Sequence, residues 1–405
     1  MNQTLAVETP AITSRAASLQ TFGSVDAVVD ALKPAEPVYC LYPRVLQQVA
    51  GRFVTGFPGR TLYAVKANPH PEIIRELYGA GIRHFDTASL REVALVKEHC
   101  PDATCYFMAI CKLAGAAETA FFSYGVRNFV ADHESEVDRL LALADQDTTI
   151  HIRMKAFDPA SVYELSSKFG AEPEEVARLL RRVADAGLQP GLAFNVGSLC
   201  RHPDAYRRAI TAAEEVVTAS GVAIVSLDVG GGFPTDYPGL GTDPVDAFFD
   251  AIRETAGNGS WIGEGGLMCE PGRALVAEGQ SLLVQVILIK DDMVFLNDGV
   301  YGGLSELNMS SNAVQYPWRV IRPGGAASAA RRSYAISGPT CDTLDVLPHK
   351  MDLPADLAVG DWIEFGLAGA YTNATSTRFN GFHTDHWVRI EGEGVMPPGE
   401  LSTPR

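Results

Sequence analysis

Residues 61–100 read TLYAVKANPH PEIIRELYGA GIRHFDTASL REVALVKEHC, and the period of their apolar residues changes several times. TLYAV is an apolar run of strand length. PEIIRELYGAG then places apolar residues at i, i+3, i+4 and i+7, the spacing of an amphipathic helix, with a proline at its start and glycine at its end. HFDT repeats the strand and LREVALVKEHC the helix. Ser89 and Glu92, an S-x-x-E pattern ahead of that second apolar run, form a capping box.

The same alternation continues outward to residue 273. CYFMA (105–109), NFVADH (128–133), IHIRMK (150–155), GLAFNVGS (191–198), VSLDVGGG (225–232) and LMCEPGR (267–273) are short apolar runs that end in small or polar clusters. Between them EPEEVARLLRRVADAG has helical period after an acidic first turn. Repeated strand–helix units predict an α/β fold, a closed (β/α)8 TIM-like barrel. An open, doubly wound sheet has the same alternation, and periodicity alone leaves both open. After residue 275 the texture changes: SLLVQVILIK, MVFLNDGVY, DWIEFGLAGAYT and HTDHWVRI are β-rich, with Gly/Pro turns between them. They predict a mostly β C-terminal domain, with PGGAASAARR (323–332) as a surface loop. The expected division is a barrel over 40–275 and a β domain over 1–39 and 276–405.

A chain of 405 residues, 46% hydrophobic and 20% charged, suits two globular domains. A formal net charge of −16 argues against nucleic acid or an anionic membrane as partner, since phosphate would be repelled. The seven cysteines are scattered and lack a CxxC spacing, which fits free thiols in a reducing compartment better than disulfides or a metal site. The first residues contain no long apolar run and no stretch is long enough to span a bilayer, so a cytoplasmic location is expected.

In a barrel, chemistry collects at the C-terminal ends of the strands. Those ends carry Lys66, Asp86, Ser89, Arg153, Asn195, Ser198, Gly230, Gly231, Gly232, Glu270 and Arg273. Lys66, flanked by apolar residues on the first strand, is either a lysine snorkelling from a strand end or an amine whose pKa burial depresses, suited to imine formation. Gly230 to Gly232 make either a tight turn or a cradle whose backbone N–H groups approach an anion. Ser198 and the turn Glu270–Arg273 offer further anion donors, although Glu270 and Arg273 taken singly read as a surface ion pair. Glu92 is accounted for by capping; Asp86, inside the strand end, is not. In the second half GPTCDTLD (338–345) gathers Cys341, Asp342 and Asp345 in one turn, and GAYTNATSTRFNG (369–381) places Tyr371 and Asn380 in another. A single cysteine read alone is an ordinary buried thiol.

Taken together, YAVKAN, FDTAS, FNVGS, LDVGGGFP, EPGR, NDGVYG, GPTCD, GAYT and FNGF resemble, in order, the motifs of the fold type III decarboxylases that depend on pyridoxal 5′-phosphate (PLP). This is the ornithine/lysine/arginine/diaminopimelate decarboxylase family. The resemblance spans residues 63 to 382 and is nearest the ornithine/lysine branch. It implies a (β/α)8 barrel with a β domain and a homodimer with shared active sites. By motif match Lys66 is the Schiff-base lysine. Ser198, Gly232, Gly272, Arg273 and Tyr371 hold the phosphate, Glu270 faces the pyridine nitrogen, Asp86, Glu92 and Arg153 line the pocket, and Asn195, Gly230 and Gly231 also bind the cofactor. Cys341 enters from the partner subunit as the proton donor, Asp342 meets the substrate's distal ammonium, and Lys168 pairs with Asp345 across the dimer.

The resemblance implies decarboxylation of a basic L-amino acid. Three departures bear on the substrate. Asn195 stands where the family has a histidine stacked on the ring, GGLSELNMSSNAVQYP (302–317) lacks the family's Tyr-Asp pair, and Thr343 replaces a usual glycine. A diaminopimelate-type, carrier-linked or modified amino acid, or racemisation, is the alternative within PLP chemistry. A catalytically silent regulatory homologue is the alternative outside it.

Overall fold

The helix Pro173–Asp185 shows how the outer layer of the molecule is built. Pro173 fills the first helical position, Glu174 and Glu175 lie in the first turn where the helix dipole favours negative charge, and Val176, Leu179, Leu180 and Val183 are buried along one stripe. Each of the helices Pro71–Gly79, Leu90–His99, Ala116–Tyr124, Glu134–Leu141, Asp204–Ser220 and Val245–Ala256 likewise follows a strand and buries one face. The computed structural model describes residues 19–156, 161, 163, 167–257, 260–309 and 314–392, and the side chain of Glu264 is not described. The outer ends of the expected β domain, 1–18 and 393–405, lie outside the described residues, as do residues 310–313 of the segment 302–317 and Ser166 beside Lys168.

The strands inside these helices are Arg60–Ala64, His84–Thr87, Thr104–Phe107, Asn128–Ala131, Thr149–Arg153, Gln189–Ala193, Ile224–Asp228 and Ile262–Cys269. They pair in parallel in chain order, and the last returns to the first. The sheet is therefore closed, which decides for the (β/α)8 barrel over the open doubly wound sheet. A nine-stranded second sheet lies beyond the barrel. Its longest strand, Gln280–Lys290, pairs with Val38–Leu41, Trp362–Phe365 and Met293–Leu296. Gln20–Phe22 and Val38–Leu41 thus bring two strands from ahead of the barrel into this sheet.

Lys66 is not on the first strand. The strand ends at Ala64, and Val65–Ala67 form one 3-10 turn. Asn68, fully buried, anchors the turn by donating to Gln280 Oε1 at 2.9 Å and to the Gly369 carbonyl at 2.8 Å, which ties it to the second sheet. The strand runs as an apolar stretch, but the turn releases the Lys66 side chain into the cleft, where 48% of it is exposed. Among the described residues no helix is long and apolar enough to cross a membrane.

Candidate active site

At the C-terminal mouth of the barrel, Lys66 Nζ lies 3.2 Å from Asp86 Oδ2. Asp86 is buried near the end of the strand His84–Thr87. Its charge holds the Lys66 ammonium well above the usual lysine range, with Glu270 adding to the effect and burial opposing it. This corrects the expectation of a depressed pKa: with a carboxylate in contact, attraction outweighs desolvation.

Beside Asp86, Ser89 Oγ accepts from the Glu92 amide at 3.2 Å, and the Glu92 carboxyl accepts from the Ala88 amide at 2.6 Å. The capping box forms, with its acid reaching one residue earlier than Ser89's own N–H. Burial first, and the Asp86 charge with it, raises Glu92 to about 7.

Two more acids stand at the ends of the paired strands Ile224–Asp228 and Ile262–Cys269. Asp228 ends the strand Ile224–Asp228; its Oδ1 accepts from the Gly230 amide at 2.8 Å. Glu270 follows the strand Ile262–Cys269, and its amide donates to the Gly230 carbonyl at 2.8 Å. Among the described residues, Glu270 Oε1 and Asp228 Oδ2 are both buried without a hydrogen-bond partner. Burial, then the neighbouring Asp228 and Asp86, pushes the Glu270 carboxyl well above its usual range. Arg153, the last residue of its strand, is the nearby cation besides Lys66.

The three glycines pack where side chains would not fit. A Cβ on Gly230 would overlap the Phe194 carbonyl oxygen, and one on Gly232 the Gly197 carbonyl oxygen; both have positive φ, +71° and +101°. Gly231 backs onto the Glu270 carbonyl. The turn opposite is closed by Asn195, whose Oδ1 accepts from the Gly197 amide at 3.0 Å, and by Ser198, bridged through its backbone to Tyr163.

Arg273 is buried, with Nη2 donating to Glu306 at 2.7 Å and Nη1 to the Tyr237 hydroxyl at 3.2 Å, while its Nε has no partner among the described residues. The ring of Tyr371 lies 4.8 Å from the guanidinium. Tyr371 has a φ of +57°, unusual for a non-glycine residue, and its amide is tied to the Ala67 carbonyl at 2.9 Å. Gly272 sits where a Cβ would press on Ala67.

The donor set fits a phosphorylated aromatic aldehyde. It offers an amine in the cleft, a buried carboxyl oxygen with nothing to bind, an open guanidinium nitrogen and a side-chain-free turn. Two members of the site were absent from the sequence reading. Asp228 was legible as an acid inside the apolar run VSLDV. Glu306, on the short helix Ser305–Met309, is 3% exposed; its signal was an acid in an otherwise uncharged segment.

The second cluster lies apart. Cys341 is exposed, and its amide donates to Asn380 Oδ1 at 3.1 Å. Asp342 accepts from the Tyr301 hydroxyl and from the Leu344 amide, and the Tyr301 bond holds its carboxyl below the usual range. Among the described residues neither makes a direct hydrogen bond to the Lys66 cluster. Asp345 is fully buried and accepts from the Val300 and Thr340 amides at 2.9 and 3.0 Å. A pair with Lys168, which is exposed beside the Phe169 ring, would have to share those oxygens.

Residues 45–277 match the family described as pyridoxal-dependent decarboxylase, pyridoxal binding domain. A lysine/ornithine decarboxylase of Selenomonas ruminantium is 32% identical over 340 residues, which are 82% of this chain and 83% of that one. Antizyme inhibitor 2 of Xenopus laevis is 30% identical over 365 residues, 82% of this chain and 76% of that one. Among solved structures, the arginine decarboxylase of Paramecium bursaria Chlorella virus bound to agmatine superposes with a TM-score of 0.80 at 27% identity. The match covers 90% of this chain and 99% of that one.

Proposed function

The chain belongs to the pyridoxal-dependent decarboxylase family, and from that premise we propose that it removes the α-carboxylate of a basic L-amino acid, of the size of ornithine or lysine. The observation that carries this reading is the Lys66 amine, held by Asp86 at the barrel mouth, together with a buried Glu270 oxygen that has no hydrogen-bond partner among the described residues.

In this reading Lys66 carries the cofactor's aldehyde, and Asp86 sets the charge of that amine before it reacts. The turn Gly230–Gly232, Ser198, Gly272 and the open Nε of Arg273 hold the phosphate, with Tyr371 packed against the guanidinium. Glu270 stands at the ring nitrogen, Arg153 and Glu92 line the pocket, and Asn195 holds the turn at Gly197 instead of stacking on the ring as a histidine would. When bound, PLP supplies an electron sink for the pair of electrons left as CO2 departs. The residues of this chain orient the substrate, exclude water and move protons. Cys341 returns a proton to the α-carbon, and Asp342 attracts a distal ammonium.

Cys341 and Asp342 act on the site of a second copy in this reading. Cys341 is supported in that role by its exposure, and the turn by the apolar side chain of Leu344 within it, 73% exposed. Lys168 and Asp345 belong to the same interface.

The single remaining carboxylate of the Cys341–Asp342 turn favours a basic substrate over diaminopimelate, whose far end carries a carboxylate as well. Full retention of Lys66, Glu270, Arg273 and Cys341 favours an enzyme over a silent homologue. The test is to load purified protein with PLP and seek a visible absorption band that Lys66→Ala abolishes. A panel of ornithine, lysine, arginine and diaminopimelate is then scored for CO2 and amine. A band without CO2 release from any cationic amino acid would overturn the assignment.

A further inference from the structure

The barrel mouth holds more acid than its cations balance. Asp86, Asp228 and Glu270 face one another from three strand ends, with Lys66 and Arg153 as the neighbouring cations. The strands Ile224–Asp228 and Ile262–Cys269 are paired, with Asp228 opposite Met268, and the Glu270 amide is bonded to the Gly230 carbonyl. This sets the two side chains at neighbouring strand ends, where the Asp228 charge acts on Glu270. Asp228 is fully buried and uses Oδ1 on the Gly230 amide; its Oδ2 and Glu270 Oε1 have no donor among the described residues. Two neighbouring carboxylates with oxygens shut off from water cannot both keep their charge at little cost, and two bare acceptors cannot bond each other. One proton between them supplies the missing donor and leaves the three acids and two bases of the cluster electrically balanced.

We propose that Asp228 and Glu270 share a single proton, and that Asp228 is the positioning residue that fixes the charge of the carboxyl facing the cofactor. The inference rests on the reading of Glu270 as the partner of the ring nitrogen, and it deepens it: the ring meets one net negative charge rather than two. Burial is the main force on both acids. It raises Asp228 to about 7, against the opposing bond from the Gly230 amide, and it raises Glu270 well above its usual range. The remaining groups around the pair are Tyr106 from the strand Thr104–Phe107, Cys269 beside Glu270, and His151 from the strand Thr149–Arg153. Burial keeps His151 neutral by lowering it to about 4, and it bonds Ser226 at 3.0 Å. The strands Asn128–Ala131 and Gln189–Ala193 contain no titratable side chain.

A carboxyl whose folded pKa is raised contributes stability that is complete below the ordinary carboxyl range and is lost as pH rises through the folded value. The window here runs from about pH 4 to above 7. Asp228→Asn keeps a buried donor and removes the titration. With the full chain freed of cofactor, wild-type melting temperature should therefore fall relative to D228N by roughly 5 °C between about pH 5 and pH 8.5. Glu92 and Asp298, which burial also raises, are common to both proteins and cancel in the difference. An infrared difference spectrum, wild type minus D228N near neutral pH, should contain the carbonyl stretch of one buried protonated carboxyl. If D228N does not fold, Glu270→Gln gives the same comparison. Equal pH slopes, or no protonated carboxyl in the difference, would overturn the shared proton. Failure of wild type to form a visible band with PLP would instead strike the functional reading, and the two results are read separately.

Discussion

The barrel mouth and the turn Thr340–Asp345 are both rich in reactive side chains, yet they are built in opposite ways. At the mouth Asp86, Asp228 and Arg273 are buried, and each is bonded within its own chain, Asp86 to Lys66, Asp228 to the Gly230 amide and Arg273 to Glu306. At the turn Cys341 is exposed, and the Asp342 carboxylate accepts from Tyr301 and the Leu344 amide. Charge sunk in a barrel must be balanced by its own chain, because water is not there to do it. Chemistry set on a surface turn needs no such balance, but it has no dry pocket to act in until something covers it. The contrast fits a cofactor half that one chain completes and a substrate half that waits for a second copy.

The largest effect that could break this contrast comes from mixing two defective chains. Lys66→Ala disables the mouth and Cys341→Ala the turn, so each homodimer should be close to inactive. If the halves come from different chains, random mixing of the two variants restores one good site in half of the dimers. Activity should then recover to about a quarter of wild type, since a two-fold assembly carries two sites. No recovery after mixing, with dimers present by light scattering, would mean that each chain builds its whole site alone.

Next in size is the loss of Asp342. Asp342→Ala should raise the KM for a cationic amino acid by roughly 10–100-fold, the scale of a charge-assisted hydrogen bond. It should leave the visible band and PLP affinity unchanged, because the cofactor half does not use this carboxylate. A shifted band would show that the cofactor half does depend on this carboxylate and would dissolve the distinction.

Much of this division was legible in the sequence, for physical reasons. Strands and helices of the barrel announce themselves by period, since each must bury one face or stripe, and the glycines of LDVGGG mark close backbone approach. Closure of the sheet was not legible, because barrel and open sheet share the same local pattern and differ only in whether Ile262–Cys269 meets Arg60–Ala64. Lys66 was identified but misplaced by one turn: the apolar run YAV continues past the strand end, and the anchor that bends it, Asn68 to Gln280, spans 212 residues. The direction of its pKa depended on Asp86, on the next strand. Asp228 was hidden by its own neighbours, reading as one polar letter in an apolar run, and Glu306 by a segment in which expectation looked for a different carboxylate.

The smallest effect sets the two regions against each other by sign. Glu92 at the mouth is raised to about 7 by burial, so its contribution to stability is present below the ordinary carboxyl range and drains away as pH climbs towards 7. Asp342 at the turn is lowered by its bond from Tyr301, so its contribution is present above the ordinary range and is lost as pH falls through the lowered value. Glu92→Gln keeps an oxygen for the Ala88 amide and cannot ionise. It should match wild type near pH 5 and exceed it by roughly 1 kcal/mol near pH 8, a value reduced for partial exposure. Asp342→Asn should instead fall behind wild type at neutral pH and draw level as acid removes the wild-type charge. Melting curves of the two variants across that range would then diverge from wild type in opposite directions. Parallel curves would mean that burial does not separate the two regions as the geometry indicates, because a buried acid and a surface acid would be answering to the same solvent.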